Sequence, residues 1–60
     1  PPLITAGGDL VPLDEAIIAL ERAMVREALI RGEGGRVEAA QLLGVDLDRM
    51  LDLMERLGIA

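Results

Sequence analysis

The sequence contains no cysteine, no histidine and no aromatic residue among its 60 positions. The lack of cysteine and histidine excludes disulfides, zinc sites of the Cys/His type, and thiol or imidazole catalysis within this segment. No apolar run approaches the roughly 20 residues of a membrane-spanning helix, and nothing resembles a signal peptide. We therefore expect a cytoplasmic protein that is not an enzyme, holds no metal or cofactor, and makes no contact with a membrane.

Positive charge is also scarce, and lysine is absent: six arginines stand against eleven acidic residues, for a net charge of −5. This sign is unfavourable for a nucleic-acid-binding domain, because affinity for DNA rests largely on neutralising phosphates. The apolar residues are aliphatic, which suits packed helices better than a sheet. Sixty residues make one small domain. Because the sequence begins with Pro-Pro and not with Met, we expect it to belong to a longer protein and to contact that protein's other domains.

The first eleven residues show neither a helical nor a strand period. They contain Pro1-Pro2 and Gly7-Gly8, with a threonine and an aspartate between apolar residues. Such a composition is typical of segments that connect folded units. We predict that residues 1–11 form an interdomain linker, flexible at Gly7-Gly8, and that residues 12–60 form the folded domain.

The remainder predicts an all-α fold of three helices over 12–31, 36–43 and 47–57. Pro12 suits the start of the first helix, and the glycines between 32 and 35 end it. Gly58 ends the third helix. The first helix is therefore much longer than the other two.

The segment from Glu38 to Asp46 organises the domain. Gly44 follows the last apolar pair of the second helix, where a positive φ is often needed, and Asp46 is a suitable N-cap for the third helix. A helix, a glycine-containing turn and a second helix at this spacing form the helix-turn-helix pattern. A plain helical hairpin gives the same pattern, and this segment alone does not separate the two. Its compact apolar face comprises Ala39, Ala40, Leu42 and Leu43.

The first helix has an apolar arc wider than the roughly 100° that one packing surface needs. Two short helices do not cover such an arc, and an uncovered aliphatic face usually marks a partner surface. We predict a homodimer through this helix, in preference to contact with another domain. A single copy would leave Ile18, Val25 and Leu29 in water, whereas Arg22 lies in the polar remainder. The predicted dimer interface is Ile17, Ile18, Leu20, Met24, Val25 and Leu29.

Several of these residues together resemble a known family. The long helix carries Glu21-Arg22 and Ala28-Leu29, and is followed by Gly34-Gly35-Arg36-Val37-Glu38-Ala39-Ala40-Gln41-Leu42-Leu43-Gly44-Val45 and later by Gly58-Ile59. The pattern is similar to the Fis-type helix-turn-helix domain at the C-terminus of NtrC-class response regulators, which are bacterial enhancer-binding transcription regulators. The resemblance covers residues 13–59 without a gap. It implies a role in transcription regulation, with a dimer formed by the first helix and DNA binding by the last helix in the major groove.

The third helix departs from the family's pattern. Where the family has Ser-Arg-Arg-Thr, this chain has Asp46-Leu47-Asp48-Arg49. At two later positions where the family has basic residues, this chain has Leu53 and Glu55. Gly35 and Val37 stand where the family has Asn and Thr. The resemblance leaves Arg36, Arg49 and Arg56 as candidate DNA contacts, with Arg36 directed at a phosphate. Two functions stay open: a dimeric domain with weakened DNA binding, or a dimerisation and protein-interaction module that has lost it.

The carboxylates of the third helix do not predict a metal site. Asp46, Asp48 and Asp52 do not converge on a helix, and the pattern lacks the glycine and terminal glutamate of a calcium loop. Asp48 and Asp52 lie one turn apart and are most simply a solvated face. The alternative is that such a carboxylate accepts a hydrogen bond from a cytosine amino group in the major groove.

Overall fold

A computed structural model describes residues 3–59, and in it three α-helices pack against one another. Within these residues there is no β-strand beyond one isolated bridge near the N-terminus, which confirms the predicted all-α class. Pro1, Pro2 and Ala60, which the predicted linker and domain include, lie outside the described residues. The helices are α1 (Leu13–Arg31), α2 (Arg36–Leu43) and α3 (Leu47–Leu57).

α1 begins one residue later than predicted, directly after Pro12. The fixed φ of proline suits this position, and the Pro12 carbonyl accepts a hydrogen bond from the Ala16 amide at 3.0 Å. No side chain caps this end, but Asp14 and Glu15 place negative charge beside the positive end of the helix dipole. At the other end the chain leaves the helix through Gly32.

α2 and α3 end in the same way. Gly44 has a φ of 74° and Gly58 a φ of 69°, so the predicted positive φ at Gly44 is confirmed. After each glycine, the next amide donates to a carbonyl five residues back, from Val45 to Ala40 at 3.0 Å and from Ile59 to Met54 at 2.9 Å. This is the Schellman arrangement, which satisfies carbonyls that a helix end leaves free.

The predicted cap of α3 is also confirmed. Asp46 Oδ1 accepts a hydrogen bond from the Arg49 amide at 2.7 Å, and the Asp46 backbone is extended as an N-cap residue requires. Because Gly44 ends α2 and Asp46 starts α3, Val45 alone spans the turn between them. Its side chain is half-buried against the core.

Eight apolar side chains from all three helices form the core. α3 supplies four of them, whereas α1 and α2 supply two each. The α2 pair is Ala39 and Ala40, whose small side chains let the other helices approach its backbone closely. Met50 and Val25 are the largest fully buried side chains. The core residues are Val25, Ala28, Ala39, Ala40, Met50, Leu53, Met54 and Leu57.

The sequence suggested that Arg22 lies on an exposed polar face of the first helix, but the structure places it elsewhere. It is half-buried, and its Nη2 donates a hydrogen bond to the Leu57 carbonyl at 3.3 Å, 35 residues away. Leu57 is the last residue of α3, where carbonyls lack partners within the helix. A long arginine side chain can lie beside apolar neighbours while its guanidinium reaches such a carbonyl.

The predicted linker closes into a small hydrogen-bonded loop over residues 3–11. The Thr5 amide donates to the Asp9 carbonyl at 2.7 Å, and the Val11 amide donates to the Leu3 carbonyl at 2.9 Å. Thr5 Oγ1 also accepts from the Asp9 amide at 3.2 Å. The Gly7-Gly8 pair lies at the turn of this loop, with Gly8 at a φ of 89°. The segment therefore has a defined backbone here, and its role as a linker between domains stays a prediction.

Candidate nucleic-acid and association surfaces

The outer face of α3 carries five exposed charged side chains, of which three are acidic. Asp52 Oδ2 pairs with two arginines, at 3.4 Å from Arg56 Nε and at 4.0 Å from Arg49 Nη1. Arg56 Nη2 also lies 3.6 Å from Glu21 Oε2 of α1. The face comprises Asp48, Arg49, Asp52, Glu55 and Arg56. Its two positive charges are thus balanced by acidic neighbours before any partner arrives.

These ion pairs matter for charge more than for stability. Their side chains are mostly half exposed or more, and exposed pairs typically stabilise a fold by about 0–1 kcal/mol. A phosphate that approached Arg49 or Arg56 would compete with Asp52 for the same guanidinium. The arrangement therefore lowers the attraction that these arginines offer to a polyanion.

The three candidate DNA contacts do not share one site. Arg49 and Arg56 line an open groove of about 450 Å³ together with Asp14, Ile17, Ile18 and Glu21 of α1. Arg36 does not line this groove. It is exposed at the first position of α2, and within the described chain no carboxylate lies close enough to form an ion pair with it.

Gly35, which precedes Arg36, lies against the side chain of Glu38. A Cβ on residue 35 would overlap the Glu38 carboxylate where it now lies, but Glu38 is exposed and its side chain has room to turn aside. A carboxylate near a helix N-terminus is stabilised by the dipole. Glu38 thus adds a negative charge to the first turn of α2, which Arg36 begins.

The predicted dimer interface divides into a buried part and an exposed part. Val25 is only 1% exposed and belongs to the core of a single copy, and Leu29 packs partly buried against that core. The expectation that a single copy leaves Val25 in water is therefore wrong, and Leu29 is only partly exposed. The reason is that α2 and α3 lie over the side of α1 that carries both residues. Ile18 is 44% exposed and lines the groove with Arg49.

The exposed part forms a straight apolar stripe along α1. We call Leu13, Ile17, Leu20 and Met24 the α1 stripe; its members follow at intervals of four, three and four residues, so they lie on one side of the helix. All four are exposed. Leu13 was absent from the predicted interface, although its spacing to Ile17 was a sufficient signal in the sequence.

A shallow pit continues the α1 stripe at its C-terminal end. Met24 and Ala28 of α1 form one wall, and Leu42 and Leu43 of α2 form the other. Leu42 was predicted to belong to a compact apolar face, but it is 58% exposed. Glu27 and Arg31, ion-paired at 3.5 Å, complete the lining. We call this feature the α1–α2 pit; sequence reasoning missed it because it depends on how α2 lies against α1.

Between residues 3 and 59, no three acidic side chains come together as metal ligands would. None of the three helices is both long enough and apolar enough to cross a membrane. Searches against family models, curated proteins and solved structures found no match to this chain.

Proposed function

We propose that this chain is a homodimeric helix-turn-helix domain of a bacterial transcription regulator, with weak affinity for DNA. The observation that carries the proposal is the compact unit of α2, the turn at Gly44 to Asp46, and α3, joined to a long helix with an uncovered α1 stripe. A capped helix with an exposed polar face supports a role in a DNA groove. An uncovered aliphatic stripe supports association with a second copy.

The weakness of the DNA contact follows from the charges on α3. Each phosphate contact adds about −0.9 to the slope of log affinity against log salt concentration. Arg36, Arg49 and Arg56 would give a slope of about −2.7 per protomer at most. Because Asp52 pairs with both Arg49 and Arg56, we expect the measured slope to be shallower than this limit.

A salt titration on labelled duplex DNA tests the proposal. The variant Asp48→Arg with Asp52→Arg removes two acids from the exposed face and frees Arg49 and Arg56 from Asp52. We expect it to bind more tightly than the unmodified chain and with a steeper salt slope. Each replacement of an acid by arginine adds two charges, so the net charge rises from −5 to −1.

A matched variant separates the position of the charge from its amount. Glu15→Arg with Glu33→Arg gives the same net charge, but both positions are exposed, lie outside α3, and make no ion pair among the described residues. We expect this variant to gain less affinity for DNA than the α3 variant. Equal gains from both variants would contradict a specific role for α3, and steep, tight binding by the unmodified chain would contradict the proposed weakness.

A second function is favoured by the ion pairs of α3. If Arg49 and Arg56 serve to pair with Asp52 and Glu21 and not with phosphates, the domain is a dimerisation and protein-interaction module without DNA affinity. The same titration separates the two functions. Binding by neither the unmodified chain nor the α3 variant would favour the module.

A further inference from the structure

The α1–α2 pit is open, is lined by four apolar and two charged residues, and lies beside a surface already proposed to pair. It has a volume of about 230 Å³ and lies where the α1 stripe ends, with Met24 belonging to both features. Its apolar lining is Met24, Ala28, Leu42 and Leu43. An aliphatic side chain fits this lining by chemistry. No side chain of the same stripe fills the pit, because the stripe runs away from it toward the N-terminus of α1.

The spacing of the α1 stripe reads the same in both directions. Its intervals of four, three and four residues allow two antiparallel α1 helices to pack with a two-fold axis beside the middle of the stripe. Leu13 of each copy then faces Met24 of the other, and Ile17 faces Leu20. Each of these contacts occurs twice, once in each direction between the copies, as a closed two-fold interface requires.

Charge favours the antiparallel direction over the parallel one. The first turn of α1 carries Asp14 and Glu15, whereas its last turn carries Arg31, which is paired with Glu27. Antiparallel packing opposes the two helix dipoles and keeps the two acidic first turns apart. Parallel packing would place the two acidic ends side by side.

This register carries the N-terminal loop of each copy to the pit of the other. If Leu13 faces Met24, then the extended residues that precede Leu13 lie over the part of the partner's α1 that follows Met24, where Glu27 and Arg31 line the pit. Leu10 is 79% exposed, more than any other large apolar side chain in residues 3–59. The bridge between Ile4 and Leu10, and the hydrogen bond from Val11 to Leu3, hold its backbone in place. A side chain presented from an ordered loop loses less entropy on binding.

The area of contact also calls for more than the α1 stripe. Standard interfaces take about 800 Å² from each partner. A fully buried aliphatic side chain contributes about 1.5–3 kcal/mol at about 25 cal/mol per Å², which corresponds to about 60–120 Å² of apolar surface. The four stripe residues, at 45–73% exposure, therefore provide only about 130–260 Å² per copy. Leu10 and Leu42 lie beside the stripe in this register and extend the apolar contact at both of its ends.

We infer that two copies pack with their α1 helices antiparallel, and that Leu10 of each copy enters the α1–α2 pit of the other. The inference rests on the homodimer proposed above and assigns the N-terminal loop to the interface. It accounts for the exposure of both Leu10 and Leu42. It also makes the pit a site that is complete only when a second copy supplies the loop.

Cross-linking tests the register directly, because the chain has no cysteine of its own. A mixture of the Leu13→Cys and Met24→Cys chains should form a mixed disulfide, and a mixture of Leu10→Cys and Leu42→Cys should do the same. Leu13→Cys alone should not cross-link to itself, since the two copies of this residue lie about 16 Å apart along the paired helices at 1.5 Å per residue. Rapid cross-linking of Leu13→Cys alone would instead indicate parallel helices and would overturn the register.

Sedimentation equilibrium tests the loop. Leu10→Asp should raise the dimer dissociation constant at least about tenfold, because burial of one leucine is worth that factor or more. Leu3→Asp is the matched control, because Leu3 lies in the same loop and is similarly exposed but does not face the pit in this register. The dimer dissociation constant of this variant should stay unchanged.

The outcomes separate this inference from the proposed dimer. A monomeric unmodified chain would overturn both. A stable dimer that cross-links between positions 13 and 24, but not between 10 and 42, and that tolerates Leu10→Asp, would keep the dimer and overturn the role of the loop. Equal effects of Leu10→Asp and Leu3→Asp would also overturn it.

Discussion

α3 and α1 carry the same kinds of aliphatic residue, but the domain covers them to different extents. α3 directs four apolar side chains into the core and presents charged residues on its outer face. α1 has 19 residues and buries only Val25 and Ala28 completely, leaving the α1 stripe exposed. Two helices of 8 and 11 residues cannot cover both apolar sides of α1. An aliphatic face becomes core only where another element lies over it, and the remaining face is available to a partner.

The largest expected effect comes from a charge on the covered side of α1. Val25→Glu places a carboxylate where the side chain is almost fully buried, and an unpaired buried charge costs several kcal/mol. Domains of this size are often stable by only about 3–5 kcal/mol. We expect the variant to be largely unfolded by far-UV circular dichroism. A native helical spectrum would show that Val25 is not in the core.

The same charge on the uncovered side of α1 should leave the fold intact. Leu20→Glu alters the middle of the α1 stripe, so we expect a helical protein that sediments as a monomer at concentrations where the unmodified chain is a dimer. Ile30→Glu is the control, because Ile30 is exposed on α1 but lies outside the stripe. Loss of helicity in Leu20→Glu, or loss of the dimer in Ile30→Glu, would contradict the division of α1 into two faces.

The sequence predicted the helices better than it predicted their environments. The ends of α2 and α3 depend on Gly44, Asp46 and Gly58, whose effects are local, and these were predicted correctly. Val25 and Leu20 could not be told apart by residue type, because which side of α1 is covered depends on the positions of the other helices. Arg22 was placed in the polar face for the same reason, since its partner is a carbonyl 35 residues away.

A smaller effect should follow from a change at the end of α2. Gly44→Val keeps the turn but forces a β-branched residue to a φ of 74°, which costs about 1–3 kcal/mol. No atom crowds the position of the added Cβ, so the cost is in the backbone alone. We expect a lower melting temperature, and a smaller decrease for Gly44→Asn because asparagine tolerates this conformation better. Equal melting temperatures for all three proteins would argue against strain at this turn.

The smallest expected effect concerns the start of α3, which has a side-chain cap, in contrast to the start of α1. Asp46→Ala removes the acceptor of the Arg49 amide and should destabilise the domain by about 0.5–2 kcal/mol in urea denaturation. Asp46→Asn keeps an oxygen in place and should recover most of this loss. If alanine and asparagine behave alike, the cap contributes through its charge and not through its hydrogen bond.

The hydrogen bond from Arg22 to Leu57 has a consequence for how the domain opens. Helix ends usually fray, and their amides then exchange with solvent without any wider unfolding. Here the Gly58 and Ile59 amides are bonded to carbonyls of α3, and the last carbonyl of that helix is held by a side chain of α1. Unwinding the final turn therefore also breaks this hydrogen bond to α1 and exposes the buried Leu57. The Ile59 amide should therefore exchange more slowly than the amides of a helix end that lacks such contacts.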